Sequence, residues 1–248
     1  ILILSAAGIY IGAQPELTTQ LEQFAQQLSD FNYNPEMVQG LLGDLLQKPG
    51  VIAITLAVAA GIIPLLEELF KPLAVWLLAG ERLTPAQGFV AGMWSGACFA
   101  LYENLTALSA AGNGDGTTIL LARVGTGLLH MVTAGLVGWG LASAWANIKN
   151  LGRLVIVYLL AVFLHGAWNA AGVIAGIAPF LSLPADASTL FAGMGQTAAI
   201  TLFVLIGLNL VLLFVINFRL RKEAAGEASL ELTPPQAPVP SQAGEDLP

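Results

Sequence analysis

The 248-residue chain is 56% hydrophobic and only 10% charged, with a mean hydropathy of +0.76, whereas a soluble domain carries about 25% charged residues. This excludes an ordinary soluble domain and predicts an all-α fold, a multi-pass transmembrane helix bundle. The net charge of −7 gathers at the two ends; residues 51–218 hold six acids against five bases, so nucleic acid meets no basic footprint.

The first apolar run, Ile1 to Gly12, is shorter than the ~20 helical residues that a span needs. Residues 1–13 read as the truncated end of a transmembrane helix, with a trimmed signal-peptide core as the lesser alternative. Within 14–50, Leu17, Leu21, Phe24, Leu28 and Phe31 recur at helical spacing, and Asn34-Pro35 suits the start of a second helix bearing Met37, Leu41, Leu42, Leu45 and Leu46. These predict an amphipathic helical hairpin on the membrane surface; a plain tethered loop fits the same residues.

Five apolar segments come next, Val51 to Leu78, Ala86 to Ala110, Thr118 to Trp145, Leu154 to Phe180 and Leu190 to Phe218. They make 51–218 a five-helix core. The first, 28 residues long, would run about 42 Å as a straight helix against a hydrocarbon core of about 30 Å. It must tilt or bend, and Pro64 is the predicted kink, freeing backbone carbonyls beside Glu67. Arg82, Lys149, Arg153, Arg219, Arg221 and Lys222 lie in alternate connections and after the last helix. Basic loops face the cytoplasm, so the 14–50 hairpin is expected outside and the tail inside. Residues 219–248 are a basic stop followed by an acidic, Pro-rich stretch of disordered composition. The single cysteine, Cys98, reads as a small core hydrophobe.

Five polar sites interrupt the apolar segments: Glu67, Glu68 and Lys71; Glu103 and Asn104; Arg123; His130; and His165 with Asn169. An ionisable side chain at membrane depth costs at least about 2.5–3.5 kcal/mol, and such groups turn toward the bundle interior and one another. One shared polar site is the economical expectation. Glu67 and Lys71, at i,i+4, share a face, so the lysine is expected to balance Glu67 while Glu68 projects about 100° away. Gly88, Gly92, Gly96 and Ala100 form a small-residue stripe leading to Glu103, and Gly172 and Gly176 continue the His165/Asn169 face, which predicts close helix contacts along both. Taken singly, His130 would fit a satisfied core histidine and Glu67/Lys71 a structural ion pair; their conjunction points to chemistry.

Peptide hydrolysis needs an activated water, a donor for the developing oxyanion and a proton for the leaving amine. Glu67 as base with His165 and Asn169 as donors supplies that set. Alternatively, Glu103, His130 and His165 make a three-ligand Zn²⁺ site with Glu67 as base. No HExxH helix is present, so zinc and a metal-free glutamate mechanism stay open.

The motifs EExxK at Glu67, Glu68 and Lys71, FxxxEN at Phe99, Glu103 and Asn104, the Arg123 to His130 segment, and HGxWN at His165 to Asn169 resemble those of the PrsW family of intramembrane proteases. That family is related to the type II CAAX prenyl endopeptidase (CPBP) superfamily. The resemblance, over about residues 51–218, implies an endopeptidase acting on membrane-anchored proteins in the bilayer. It implies Glu67 as the water-activating residue, Glu68 and Lys71 as its supporting pair, Glu103 as the second-motif residue, and His165 and Asn169 as the oxyanion side. The alternative is a proton-coupled transporter or channel using the same residues as a relay.

Overall fold

The computed structural model describes residues 15–29, 43, 48–110, 116–177 and 185–231, and these are helical apart from short connections. Helix α1, Pro15–Ser29, matches the first arm of the predicted hairpin. The second arm, apart from Gly43, lies outside the described residues, as do 1–13 and 232–248.

The first membrane helix is broken twice, into three α-helical pieces. Helix α2, Pro49–Leu56, starts with proline in its first turn and passes into a π-helical turn, Ala57–Ile62, which leads into α3, Ile63–Phe70. After Lys71 and Pro72 comes α4, Leu73–Leu77. The irregularity expected at Pro64 therefore sits in the turn before it, where the carbonyls that Pro64 cannot satisfy lie. Pro72 adds a second break for the same reason. A connection turning at Gly80, whose φ of 101° suits a residue without Cβ, leads to α5, Pro85–Ala110. Thr84 and Gln87 cap that helix reciprocally: Gln87 Oε1 accepts from the Thr84 backbone N–H (2.9 Å), and Thr84 Oγ1 from that of Gln87 (3.2 Å). Helices α6, Gly116–Ala146, α7, Leu151–Ile177, and α8, Ala185–Glu231, complete the order.

Among the described residues, four helical stretches are long and apolar enough to cross a membrane: Pro49–Leu77, Arg123–Ala146, Ile148–Ile177 and Gly193–Glu223. The other predicted segment forms α5, whose 26 residues reach about 39 Å, but it is not apolar enough to stand among the four. Helix α6 is the centre of the bundle. Within its apolar stretch 67% of residues are buried, against 6% for Pro49–Leu77 at the periphery. Three apolar clusters surround it, centred on Val132 and Leu136, on Val137 and Leu141, and on Leu129 with Leu164 and Trp168.

The glycine stripe of α5 fits against α6 backbone. A Cβ on Gly92 would run into the Ala134 carbonyl and one on Gly96 into that of His130; one on Gly88 would lie 2.6 Å from Gly138 O. Backbone contact of this kind fixes where His130 stands relative to α5. Among the described residues the expected contact at Gly172 and Gly176 does not form, since no atom of a neighbouring element lies within 4 Å of a Cβ there. In α7 the contact glycine is Gly166, whose Cβ would collide with the Ala60 carbonyl of the π-turn.

Candidate active site

Four helices bring their polar residues to one place. Glu68, fully buried, accepts from Lys71 Nζ at 2.6 Å and faces His165 Nδ1 at 2.8 Å. Lys71 Nζ also lies 2.8 Å from His130 Nδ1, and His130 Nε2 lies 2.7 Å from Glu103 Oε2. Arg123 closes the chain from α6, donating from its terminal nitrogen to Glu103 Oε2 (2.9 Å) and from Nε to Asn104 Oδ1 (2.7 Å). The imidazoles of His130 and His165 meet edge to face, 5.1 Å between centroids, and Phe99 packs on His130 from the other side at 5.3 Å.

This pairing differs from the sequence expectation. Lys71 binds Glu68, at i,i+3, while Glu67 stands 3.8 Å away and is 24% exposed. Both spacings share a helix face. Glu68 wins because His165 offers it a second partner inside the bundle, so the supporting carboxylate is buried and Glu67 is left facing a cavity.

The partners fix the tautomers. A lysine ammonium only donates and a carboxylate only accepts, so His130 is a neutral imidazole that carries its proton on Nε2, toward Glu103. His165 Nδ1 lies 2.8 Å from Glu68 Oε1 and 3.4 Å from Lys71 Nζ; the shorter contact makes Nδ1 the donor to Glu68, so in the neutral ring Nε2, 3.8 Å from Glu67 Oε2, is a bare acceptor. Glu67 Oε2 is buried and has no hydrogen-bond partner. Two acceptors thus face each other across a gap, which calls for something that donates to both or binds both. The charges agree: carboxylates at Glu67, Glu68 and Glu103 against cations at Lys71 and Arg123 leave −1.

A cavity of about 370 Å³ opens at this gap, lined by Glu67, Glu103, Arg123, His130, His165 and Asn169 among others. Asn169 donates to Ala59 O (2.8 Å), a carbonyl of the π-turn, so one amide N–H ties α7 to the broken helix. Further side chains bind backbone carbonyls around the breaks. Ser95 Oγ donates to Lys71 O (2.6 Å), Trp76 Nε1 to Leu69 O (2.9 Å) and Tyr158 OH to Leu65 O (2.7 Å). Sequence reasoning missed Ser95 and Tyr158, although both carry a signal. Ser95, Phe99 and Glu103 succeed one another at i,i+4, and Tyr158 is two turns before His165. Cys98 also departs from expectation, being exposed rather than a core residue.

Among the described residues, Glu67, His130 and His165 form a group able to hold a metal, with donor atoms within 4.8 Å of one another. The unpartnered Glu67 Oε2 and the bare His165 Nε2 suit such an ion, whose ligands at about 2.0–2.2 Å would stand roughly 3.4 Å apart in a tetrahedron. Glu103, the third ligand of the sequence expectation, is the hydrogen-bond partner of His130 here, the place of a residue that orients a ligand.

A polytopic helical bundle with a buried carboxylate–histidine cluster open to a cavity defines a class of intramembrane hydrolytic centres. The sequence model of the PrsW family, described as intramembrane metalloproteases, matches residues 36–208. The chain belongs to that family, and it is an intramembrane protease acting on membrane proteins within the lipid bilayer. No curated protein and no solved structure shows significant similarity to it.

Proposed function

We propose that the chain hydrolyses a peptide bond of a membrane-anchored protein, with Glu67 as the base that activates water. The observation that carries this is the buried, partnerless Glu67 Oε2 facing the bare Nε2 of His165 across 3.8 Å on the cavity wall. A water there would donate one proton to each, leaving its lone pair for the scissile carbonyl. Glu67 takes the proton as the oxygen attacks the carbonyl carbon, and later returns it to the departing amine. The oxyanion has the second Asn169 N–H available as a donor, and His165 orients the attacking water through Nε2. Glu68 and Lys71 hold His165 and His130 in their tautomers, and Glu103 with Arg123 completes that chain.

Glu67 Oε2 and His165 Nε2 are also free to hold zinc, and His130 would join them through Nδ1 only in place of its Lys71 contact. Bound there, the ion would act as a Lewis acid and lower the pKa of water toward about 7. The family match favours proteolysis over a proton relay.

The test uses purified protein in proteoliposomes with a panel of single-pass membrane-anchored reporters. Glu67→Gln should lower cleavage about 10²- to 10⁴-fold, the usual range for a general base. Undiminished cleavage by that variant would remove Glu67 from the role. Metal analysis of the same chelator-washed, active sample decides between the two forms of the mechanism.

The positive residues of the connections support an orientation with the Gly80 turn and the Lys149 connection cytoplasmic and α1 outside.

A further inference from the structure

Glu67 lines a second cavity as well. A pocket of about 500 Å³ shares Glu67, and no other lining residue, with the polar cavity, and it is within the range of roughly 300–1,000 Å³ usual for ligand pockets. Its walls are Leu66, Phe70 and Leu73 from the first membrane helix and Cys98 and Phe99 from α5. Leu66, Phe70 and Leu73 are each more than half exposed, so the pocket is open along the periphery of the bundle. Its polar lining is already used. Ser95 Oγ donates to Lys71 O and accepts from Ala74 N, and Lys71 Nζ is turned to Glu68 and His130. Apart from Glu67 and the weakly polar Cys98 thiol, the described lining of the pocket has no free polar atom to offer a ligand, whereas the other cavity that Glu67 lines presents Arg123, Thr126 and Asn169.

We infer that the Leu66/Phe70/Leu73/Cys98/Phe99 pocket is the subsite for a large apolar side chain next to the scissile bond. The opposite flank of the substrate then lies in the polar cavity. This rests on the hydrolytic reading of Glu67 and deepens it. An extended peptide whose carbonyl sits at the Glu67/His165 gap has one neighbouring side chain on each side of that carboxylate. The two cavities differ in polarity, so the bond cut is one that joins an apolar, membrane-embedded residue to a polar one. An acyl chain of a lipid is the competing occupant, but it would have no reason to end at the one carboxylate shared with the polar cavity.

Cys98, the single cysteine of the chain, reads the pocket directly. The full-length Glu67→Gln protein is reconstituted with single-pass reporters carrying Phe, Leu, Ala or Asp at successive positions around the end of an apolar span. The rate of Cys98 alkylation by N-ethylmaleimide is then measured. At one position, Phe or Leu should slow alkylation at least fivefold while Asp leaves it unchanged. Equal slowing by all four residues, or none by any, overturns the subsite. A rate that tracks the acyl-chain length of the lipid instead of the reporter also overturns it and assigns the pocket to lipid. In the active protein, Cys98→Trp should lower the ratio of Phe-reporter to Ala-reporter cleavage at least tenfold, and an unchanged ratio counts against the proposal. Protection of Cys98 without any cleavage by wild type would keep the subsite and remove the proteolytic role of Glu67, so the two readings fail separately.

Discussion

Without the Lys71 ammonium, the Glu68 carboxyl would be left fully buried with His165 Nδ1 as its remaining partner. Breaking a buried pair from one side costs about 3–5 kcal/mol, far more than removing both partners. Lys71→Met should therefore destabilise the protein by an amount in that range. Glu68→Gln combined with Lys71→Met should recover a large part of the loss, as read by reversible unfolding in mixed micelles. An additive double variant would show that the pair does not act as a unit. The sequence displayed these residues plainly, because charges in an apolar run have few explanations. It could not display their pairing. Helix geometry permits Lys71 to reach either glutamate, and the choice is made by His130 and His165 from helices 59 and 94 residues away in the chain.

At the scale of the helix, the site depends on how closely α5 and α6 approach. The Gly96 position faces the carbonyl of His130 itself, one turn before Phe99 and two before Glu103. A valine there has no flexible neighbour to displace, since the obstacle is backbone. Gly96→Val should cost about 1–3 kcal/mol by overpacking, and it should also separate His130 from Glu103, lowering cleavage more than the stability loss alone would. A variant at Gly172, where no contact exists, serves as the comparison in the same unfolding and cleavage assays. The spacing of Gly88, Gly92 and Gly96 foretold the α5 contact, but the same reasoning misassigned Gly172 and Gly176. Small residues allow approach without demanding it; only the partner backbone makes the contact, and in α7 that partner faces Gly166.

For the whole molecule, hydropathy finds the helices but misleads about their rank. Pro49–Leu77 and Gly193–Glu223 are more apolar than Arg123–Ala146, yet Arg123–Ala146 forms the centre. In a bilayer the apolar side chains can face lipid at no loss, while the interior takes glycine, alanine, threonine and histidine that pack or hydrogen-bond. That is why the carboxylates of the site could be identified and the peripheral place of their helix could not. Orientation is read from charge and is open to a direct check. In a Cys98→Ala background, Gln23→Cys on α1 should react with a membrane-impermeant maleimide in intact cells, and Glu81→Cys beside Gly80 only after permeabilisation. The reverse pattern would invert the assignment.

The π-turn at Ala57–Ile62 amounts to one residue more than an α-helix needs over the same rise. Each residue of an α-helix turns the chain by about 100°, so this surplus is an angular offset between α2 and α3. It sets the phase at which Glu67 and Glu68 emerge, one toward the cavity and the other toward His165. Shortening the turn by a single alanine would cancel the offset and rotate the two carboxylates out of step with the three other helices, leaving all the chemical groups in place but none of them addressed to one another.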